Sequence, residues 1–289
     1  MIERAAVAFL WLLHFLPLVL LARLGSGFGL LLHALAHERR VVCRTNLARC
    51  FPHWDEGTRH AVERQHFQAQ GRAILERALL WWSSRERIMR LVRVQGLQYL
   101  QPELGRPLLV LVPHFVGLDA GGTRIACEYD WSAIYALQKS RLMTRMLLKG
   151  RTRFGSQRLF SRQDGIRVVA TSLRSGVPLY YLPDQDYGAK DAIFVPFFGN
   201  PAATITGLAR LATLGRARVV PCVTRMLPGG EGYEVRFYPA WENYPSGDAL
   251  ADARRMNAFI EERVLEMPEQ YNWTHKRFKT RPPGEAKWY

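Results

Sequence analysis

Apolar and polar positions fall in blocks along the chain, and the longest apolar block comes first. Residues 5–22 read AAVAFLWLLHFLPLVLLA without a formal charge, close to the minimum that crosses a bilayer and interrupted by His14 and Pro17. A second apolar stretch, 25–36, follows with no small-residue cleavage signal, so the pair does not read as an ordinary cleaved leader. Two dispositions fit, a single spanning anchor or a helix lying in the membrane interface; the bland alternative is a core helix of a soluble protein. Beyond it the spacing of apolar positions predicts helices over 38–50 and 55–81, the latter with Asp55 as N-cap. A buried strand at 107–113 is followed by helices at 118–128, 141–153 and 166–175 and strands at 132–137 and 178–182. The pattern closes with a helix at 204–215, strands at 218–225 and 233–239 and a helix over 248–266. Strands alternating with helices predict an α/β fold with a mostly parallel or mixed central sheet, flanked by helices on both faces and preceded by an N-terminal membrane-associated helix. The division expected is a hydrophobic anchor over 1–37 and one domain over 38–289, since no linker or repeat interrupts the rest.

The strand Pro107–Pro113 delivers His114 and, five residues later, Asp119. On one helix that offset would separate the two side chains. With Gly117 as a turn and Asp119 in the first turn of the next helix, the carboxylate can fold back on the imidazole. That arrangement is a His–Asp dyad at the carboxyl end of a strand, where open α/β sheets bind their ligands. The Asp would fix the tautomer and leave the other ring nitrogen as a base. The bland alternative is that His114 and Asp119 merely cap a strand and a helix. Gly-x-Ser-x-Gly is absent and no Cys adjoins the pair, so the base would act on a substrate hydroxyl.

Charge adds a partner class. With 40 Lys and Arg against 25 Asp and Glu, the chain carries a formal +15, which calls for a polyanion: nucleic acid, an anionic membrane or an acidic protein. The window from Lys139 to Arg174 holds ten cations against the single acid Asp164. Within it Arg151 and Arg153 suit phosphate binding. Asp184 and Asp186, after the strand ending at Leu182, admit three readings: catalysis, metal binding or an Asx turn. Segment 194–198 reads as core or as the lining of a groove for an apolar ligand. The tail 273–285, basic with interleaved aromatics, reads alone as an RNA-binding or membrane-surface arm. The cysteines at 43, 50, 127 and 222 lack metal or disulfide spacing and read as reduced thiols.

Five segments together carry a resemblance: Arg44–Thr45–Asn46–Leu47 with Phe51–Pro52; His114 with Asp119; Pro183–Asp184–Gln185–Asp186–Tyr187–Gly188; Val195 to Gly199 with Pro201 to Thr204; and Arg277 to Gly284. In this order they resemble the late acyltransferases of lipid A biosynthesis, the lauroyl/myristoyl transferases of the lysophospholipid acyltransferase superfamily. Better-known relatives have Glu as the acid of the dyad, where this chain has Asp119. The resemblance implies transfer of a fatty acyl chain from acyl carrier protein to a hydroxyl on a 3-hydroxyacyl chain of a lipid A precursor of the Kdo-lipid IVA type. It implies action at a bacterial inner membrane, with no metal or other cofactor, and the arginines at 23, 39, 40, 44 and 49 after the apolar segment, against Arg4 alone before it, put the bulk of the chain on the cytoplasmic side. His114 and Asp119 are then the catalytic pair, and Arg151, Arg153, Asp184 and Asp186 the substrate-binding set. Acyl carrier protein is the expected partner and nucleic acid is not. The competing readings are another glycolipid or lysophospholipid acceptor, a basic nucleic-acid-binding protein, and a non-catalytic membrane scaffold.

Overall fold

A computed structural model describes residues 2–137 and 140–289. The apolar N-terminus forms two helices, α1 (Ile2–Leu13) and α2 (Leu18–Leu35), parted at Pro17, which lacks the N–H a continuous helix needs. Then come α3 (His37–Cys50), α4 (Glu56–Trp82), α5 (Arg85–Leu91), β1 (Val92–Gln95) and the short α6 (Leu97–Leu100). The α/β core follows as β2 (Leu108–Leu111), α7 (Leu118–Ala126), β3 (Ser132–Tyr135), α8 (Arg141–Arg151), β4 (Arg158–Ser161), α9 (Ile166–Arg174) and β5 (Leu179–Tyr181). The chain closes with β6 (Ala192–Phe197), β7 (Asn200–Ile205), α10 (Gly207–Gly215), β8 (Arg218–Met226), β9 (Tyr233–Phe237) and α11 (Ala249–Glu266).

Seven strands form one sheet in the order β1-β9-β8-β2-β5-β3-β4. All neighbours are parallel except β8 with β9, so the sheet is mixed and mostly parallel, as the alternating pattern predicts. β2 lies in its middle with every residue buried, which explains its unbroken Leu/Val composition. Its side chains alternate between two cores. Leu109 and Leu111 join Val169, Leu173, Tyr181 and Leu211 on the face covered by α9, α10 and α11. Leu108 and Val110 join Ile125, Trp131 and Tyr180 on the face covered by α5 and α7.

Two departures from the expected elements have clear causes. Residues 192–205 form an antiparallel hairpin, β6 with β7, turned by Phe198 (φ 48°) and Gly199 (φ 74°). A Phe in the left-handed region carries no hairpin signature, and the helix expected from 204 begins only after this strand. The tail does not project as an arm: Trp273, Arg277 and Phe278 are fully buried. Asn46 Nδ2 donates to the carbonyls of Trp273 and His275 at 2.8 and 2.9 Å, so the Arg-Thr-Asn segment of α3 clamps the tail.

Candidate active site

β2 and β5 are hydrogen-bonded parallel neighbours, with Leu111 opposite Tyr181. Each strand runs on through an aliphatic residue and a proline, Val112–Pro113 and Leu182–Pro183, to the next polar residue. Equal extension from a paired register brings His114 and Asp184 together. His114 Nδ1 lies 2.6 Å from Asp184 Oδ1, and the His114 backbone N–H donates to Oδ2 at 2.9 Å. A carboxylate only accepts, so Nδ1 carries the proton and Nε2 is left as the acceptor. The Asp184 side chain is 1% exposed and that of His114 17%. Burial alone would raise the Asp184 carboxyl, but His114, and at longer range Arg277, hold it below its usual range. Tyr271 is buried beside this carboxylate, and burial together with the carboxylate's charge pushes its phenol up.

Asp119 sits where the spacing puts it, in the first turn of α7 after Gly117, but its carboxylate does not fold back on the imidazole. Oδ1 accepts from Arg151 Nη2 at 2.8 Å and Oδ2 from Arg77 Nη2 at 3.1 Å. Two guanidiniums from α8 and α4 thus claim both oxygens, and the partner expected for the His114 ring is replaced by Asp184. Desolvation pushes the Asp119 carboxyl up, yet the charges of Arg151 and Arg77 outweigh it and hold it at about 2. Asp119 and Arg151 line the same cavity as His114, so the dyad's acid belongs to the site through its arginines.

The other expected residues divide. Arg153 Nη1 donates to the Leu80 carbonyl at 2.8 Å and Nη2 to that of Ser83, spending its guanidinium on the open end of α4. Asp186 is buried and takes hydrogen bonds from Thr280 N, Thr280 Oγ1 and Gly188 N at 2.6–2.9 Å, a loop-and-tail clasp. Lys139, counted in the basic window, lies outside the described residues. Arg77 had no motif to point to it, because its role exists only where α4 crosses α7.

The cavity beside this pair has a volume of about 540 Å³ and lies at the carboxyl ends of β2, β3 and β5, where parallel sheets form ligand sites. Its wall is mostly apolar, with His114, Asp119, Arg151, Arg162 and Tyr187 among its polar groups. The arginines are accessible: the Arg77 and Arg151 side chains are each 31% exposed. Side chains of metal-ligating type gather elsewhere, at His33, His60 and Glu63. There Arg44 Nε already sits 2.8 Å from Glu63 and supplies the countercharge. An imidazole base oriented by a buried carboxylate, at the mouth of an apolar cavity rimmed by arginine, has the equipment to activate a hydroxyl beside a hydrocarbon chain.

Comparison with known proteins agrees. The family model described as bacterial lipid A biosynthesis acyltransferase matches residues 1–280. The lipid A biosynthesis lauroyltransferase of Escherichia coli (strain K12) is 32% identical over 96% of this chain and 91% of its own length. The palmitoleoyltransferase of the same strain is 31% identical over 97% and 92%, and its myristoyltransferase 34% identical over 93% and 83%. The chain belongs to the bacterial lipid A biosynthesis acyltransferase family.

Proposed function

We propose that the protein transfers a fatty acyl chain from the thioester of acyl carrier protein to a hydroxyl of a lipid A precursor of the Kdo-lipid IVA type. The observation that carries this reading is the His114–Asp184 pair opening onto the apolar cavity. His114 Nε2 takes the proton of the acceptor hydroxyl as its oxygen attacks the thioester carbonyl. Asp184 holds the ring and stabilises the imidazolium. The tetrahedral intermediate collapses, the C–S bond breaks, and the imidazolium returns its proton to the departing sulfur. Negative charge on the intermediate's oxygen is met by the positive end of α7 and by Arg151, which Asp119 and Arg77 hold at the rim. Asp119 thereby serves catalysis by positioning a cation.

The acidic donor protein suits the exposed cations of α8, Arg141, Arg145 and Lys149, through steering and docking. The acceptor's phosphates suit Arg77 and Arg151. The apolar N-terminal helices would hold residues 38–289 against the cytoplasmic side of the inner membrane. The reading is tested with purified protein, acyl-acyl carrier protein and the precursor, by mass spectrometry of the lipid product. Wild type should add one acyl chain, and His114→Ala should lower the rate by about 10²–10⁴ with its fold intact. Unchanged activity in that variant would remove His114 from the chemistry.

A further inference from the structure

Two arginines line the cavity, and an acid matches only one of them. Arg151 is paired with Asp119 at 2.8 Å. Among the described residues no carboxylate comes within ion-pair distance of the Arg162 guanidinium. Asp164, two residues on, turns its Oδ2 to the Ser161 N–H at 2.7 Å. The Arg162 guanidinium lies instead over the Tyr187 ring, 4.4 Å from its centroid, and the ring face holds it in place. Tyr187 cannot occupy all five N–H donors of the fork, and Arg162 is exposed, so donors remain open to a ligand.

The sheet sets how far this cation stands from the base. Arg162 follows the last residue of β4, and β2 lies three places away in the strand order, beyond β3 and β5. At ~4.8 Å per place the two strands are about 14 Å apart. The registers Tyr135–Ser161, Ala133–Tyr180 and Leu111–Tyr181, counted across the sheet, put Arg162 level with Pro113, next to His114. The Arg162 N–H donates to the Tyr135 carbonyl at 3.3 Å. Arg162 therefore adjoins the end of β3, from which the chain leads to α8 and its exposed Arg141 and Arg145.

We infer that Arg162, steadied by Tyr187, binds the phosphodiester through which acyl carrier protein carries its thioester arm. The inference deepens the acyltransferase reading and rests on it. In that arm about 13 bonds separate phosphorus from sulfur, roughly 15 Å at the ~1.2 Å per bond of an extended chain. That reach matches the spacing between Arg162 and the base. A carrier docked on α8 passes its arm over the end of β3, with the phosphate at Arg162 and the thioester carbonyl at His114. Arg77 and Arg151, already fixed by Asp119, are left to the acceptor. A guanidinium without an acid of its own takes a phosphodiester as its counterion, through charge-assisted hydrogen bonds.

The test uses the full-length protein and two small donors with the same acyl chain, acyl-phosphopantetheine and acyl-pantetheine, which differ only in the phosphate. Rates are taken at near-physiological salt, where a screening length of about 8 Å damps the diffuse field of the chain. Wild type should favour the phosphorylated donor by about tenfold in kcat/KM, and Arg162→Gln should bring that ratio to about one. Arg145→Gln removes an equal charge from α8 and should keep the ratio, since neither small donor has a protein to dock. A ratio of one in wild type, or a ratio that survives in Arg162→Gln, overturns the inference; a rise in acceptor KM there would give the phosphate at Arg162 to the acceptor. Equal loss in Arg145→Gln overturns it too, because a diffuse field and not a site would then be at work. Isothermal titration with phosphopantetheine itself separates the site from the reaction. Binding about tenfold tighter in wild type than in Arg162→Gln, with no turnover of any donor, would leave the site and sink the proposed transfer. Turnover without that difference would do the reverse.

Discussion

At the residue scale the two acids near the base have separable tasks. Asp184 Oδ1 touches the imidazole whereas Asp119 touches only guanidinium groups in its two ion pairs. Asp184→Asn preserves shape and the backbone N–H contact but can no longer stabilise an imidazolium. We expect kcat to fall by about 10³–10⁴. Asp119→Asn should cost less in kcat and more in acceptor KM, because its charge is spent on Arg77 and Arg151, which then lose their fixed positions. A larger kcat loss in Asp119→Asn than in Asp184→Asn would restore Asp119 as the partner of the ring. The sequence exposed His114 and Asp119 by proximity, but proximity along the chain is a poor guide to who meets at a sheet's edge. The informative signal was the repeat of aliphatic–Pro–polar after two strands, 112–114 and 182–184, which has meaning only once those strands are known to be parallel neighbours.

Among elements, the N-terminal pair shows what periodicity misses. α2 is 18 residues long with a mean hydropathy of 1.7, enough by length and composition to cross a bilayer. Yet it is joined to α4 backbone to backbone: a Cβ on Gly29 would lie 2.1 Å from the Phe67 carbonyl oxygen, and one on Gly71 2.2 Å from that of Gly25. α4 carries a buried Arg72–Glu76 pair and the site residue Arg77, which cannot be carried into hydrocarbon cheaply. The opposite surface of α1, α2 and the turn between them leaves Phe9, Leu12, Phe15, Leu31 and Leu35 more than half exposed. We expect a helix apolar outward and welded to a charged helix inward to lie in the plane of a membrane interface. Phe15→Glu combined with Leu31→Glu should move the protein from membrane to supernatant in a flotation assay with its fold unchanged, whereas a spanning helix would stay with lipid. Gly29→Leu should instead destabilise by about 3 kcal/mol or more, since backbone cannot yield as a core side chain does, and denaturant titration measures it. Most helices and central strands were legible because their burial imprints a period. The β6–β7 hairpin was not, because Phe198 takes the first of its two left-handed positions, where Asn, Asp or Gly would have marked the turn, and Gly199 alone is a weak signal.

Across the whole molecule the last segment of chain closes the site. Asn272 N donates to the His114 carbonyl at 3.1 Å and Val116 N to that of Gln270 at 2.9 Å, so the loop bearing the base is held by residues far away in sequence. Two histidines, His66 fully buried and His275 half-buried, fasten this segment. His66 Nδ1 donates to the Glu269 carbonyl at 3.0 Å. His275 Nε2 accepts from the Asp186 N–H at 3.0 Å. A proton on His275 Nε2 would set donor against donor, and one on His66 would place a charge where water is excluded. Burial accordingly lowers both rings from 6.5 to about 4. Between these values the unfolded chain binds more protons than the folded one, so stability falls as pH falls from 6.5 towards 4. Each ring accounts for on the order of 1–3 kcal/mol across that interval. Asp119, held at about 2 against an ordinary 3.8, contributes stability that is lost only on further acidification between those two values. Denaturant midpoints measured from neutral pH down to about 4 should therefore decline before the carboxylates titrate. His275→Gln should flatten part of that decline by removing one titrating ring. A wild-type profile flat over this interval would mean that the rings are charged or wet in the folded protein, and the tail could not then be the clasp that keeps His114 against Asp184.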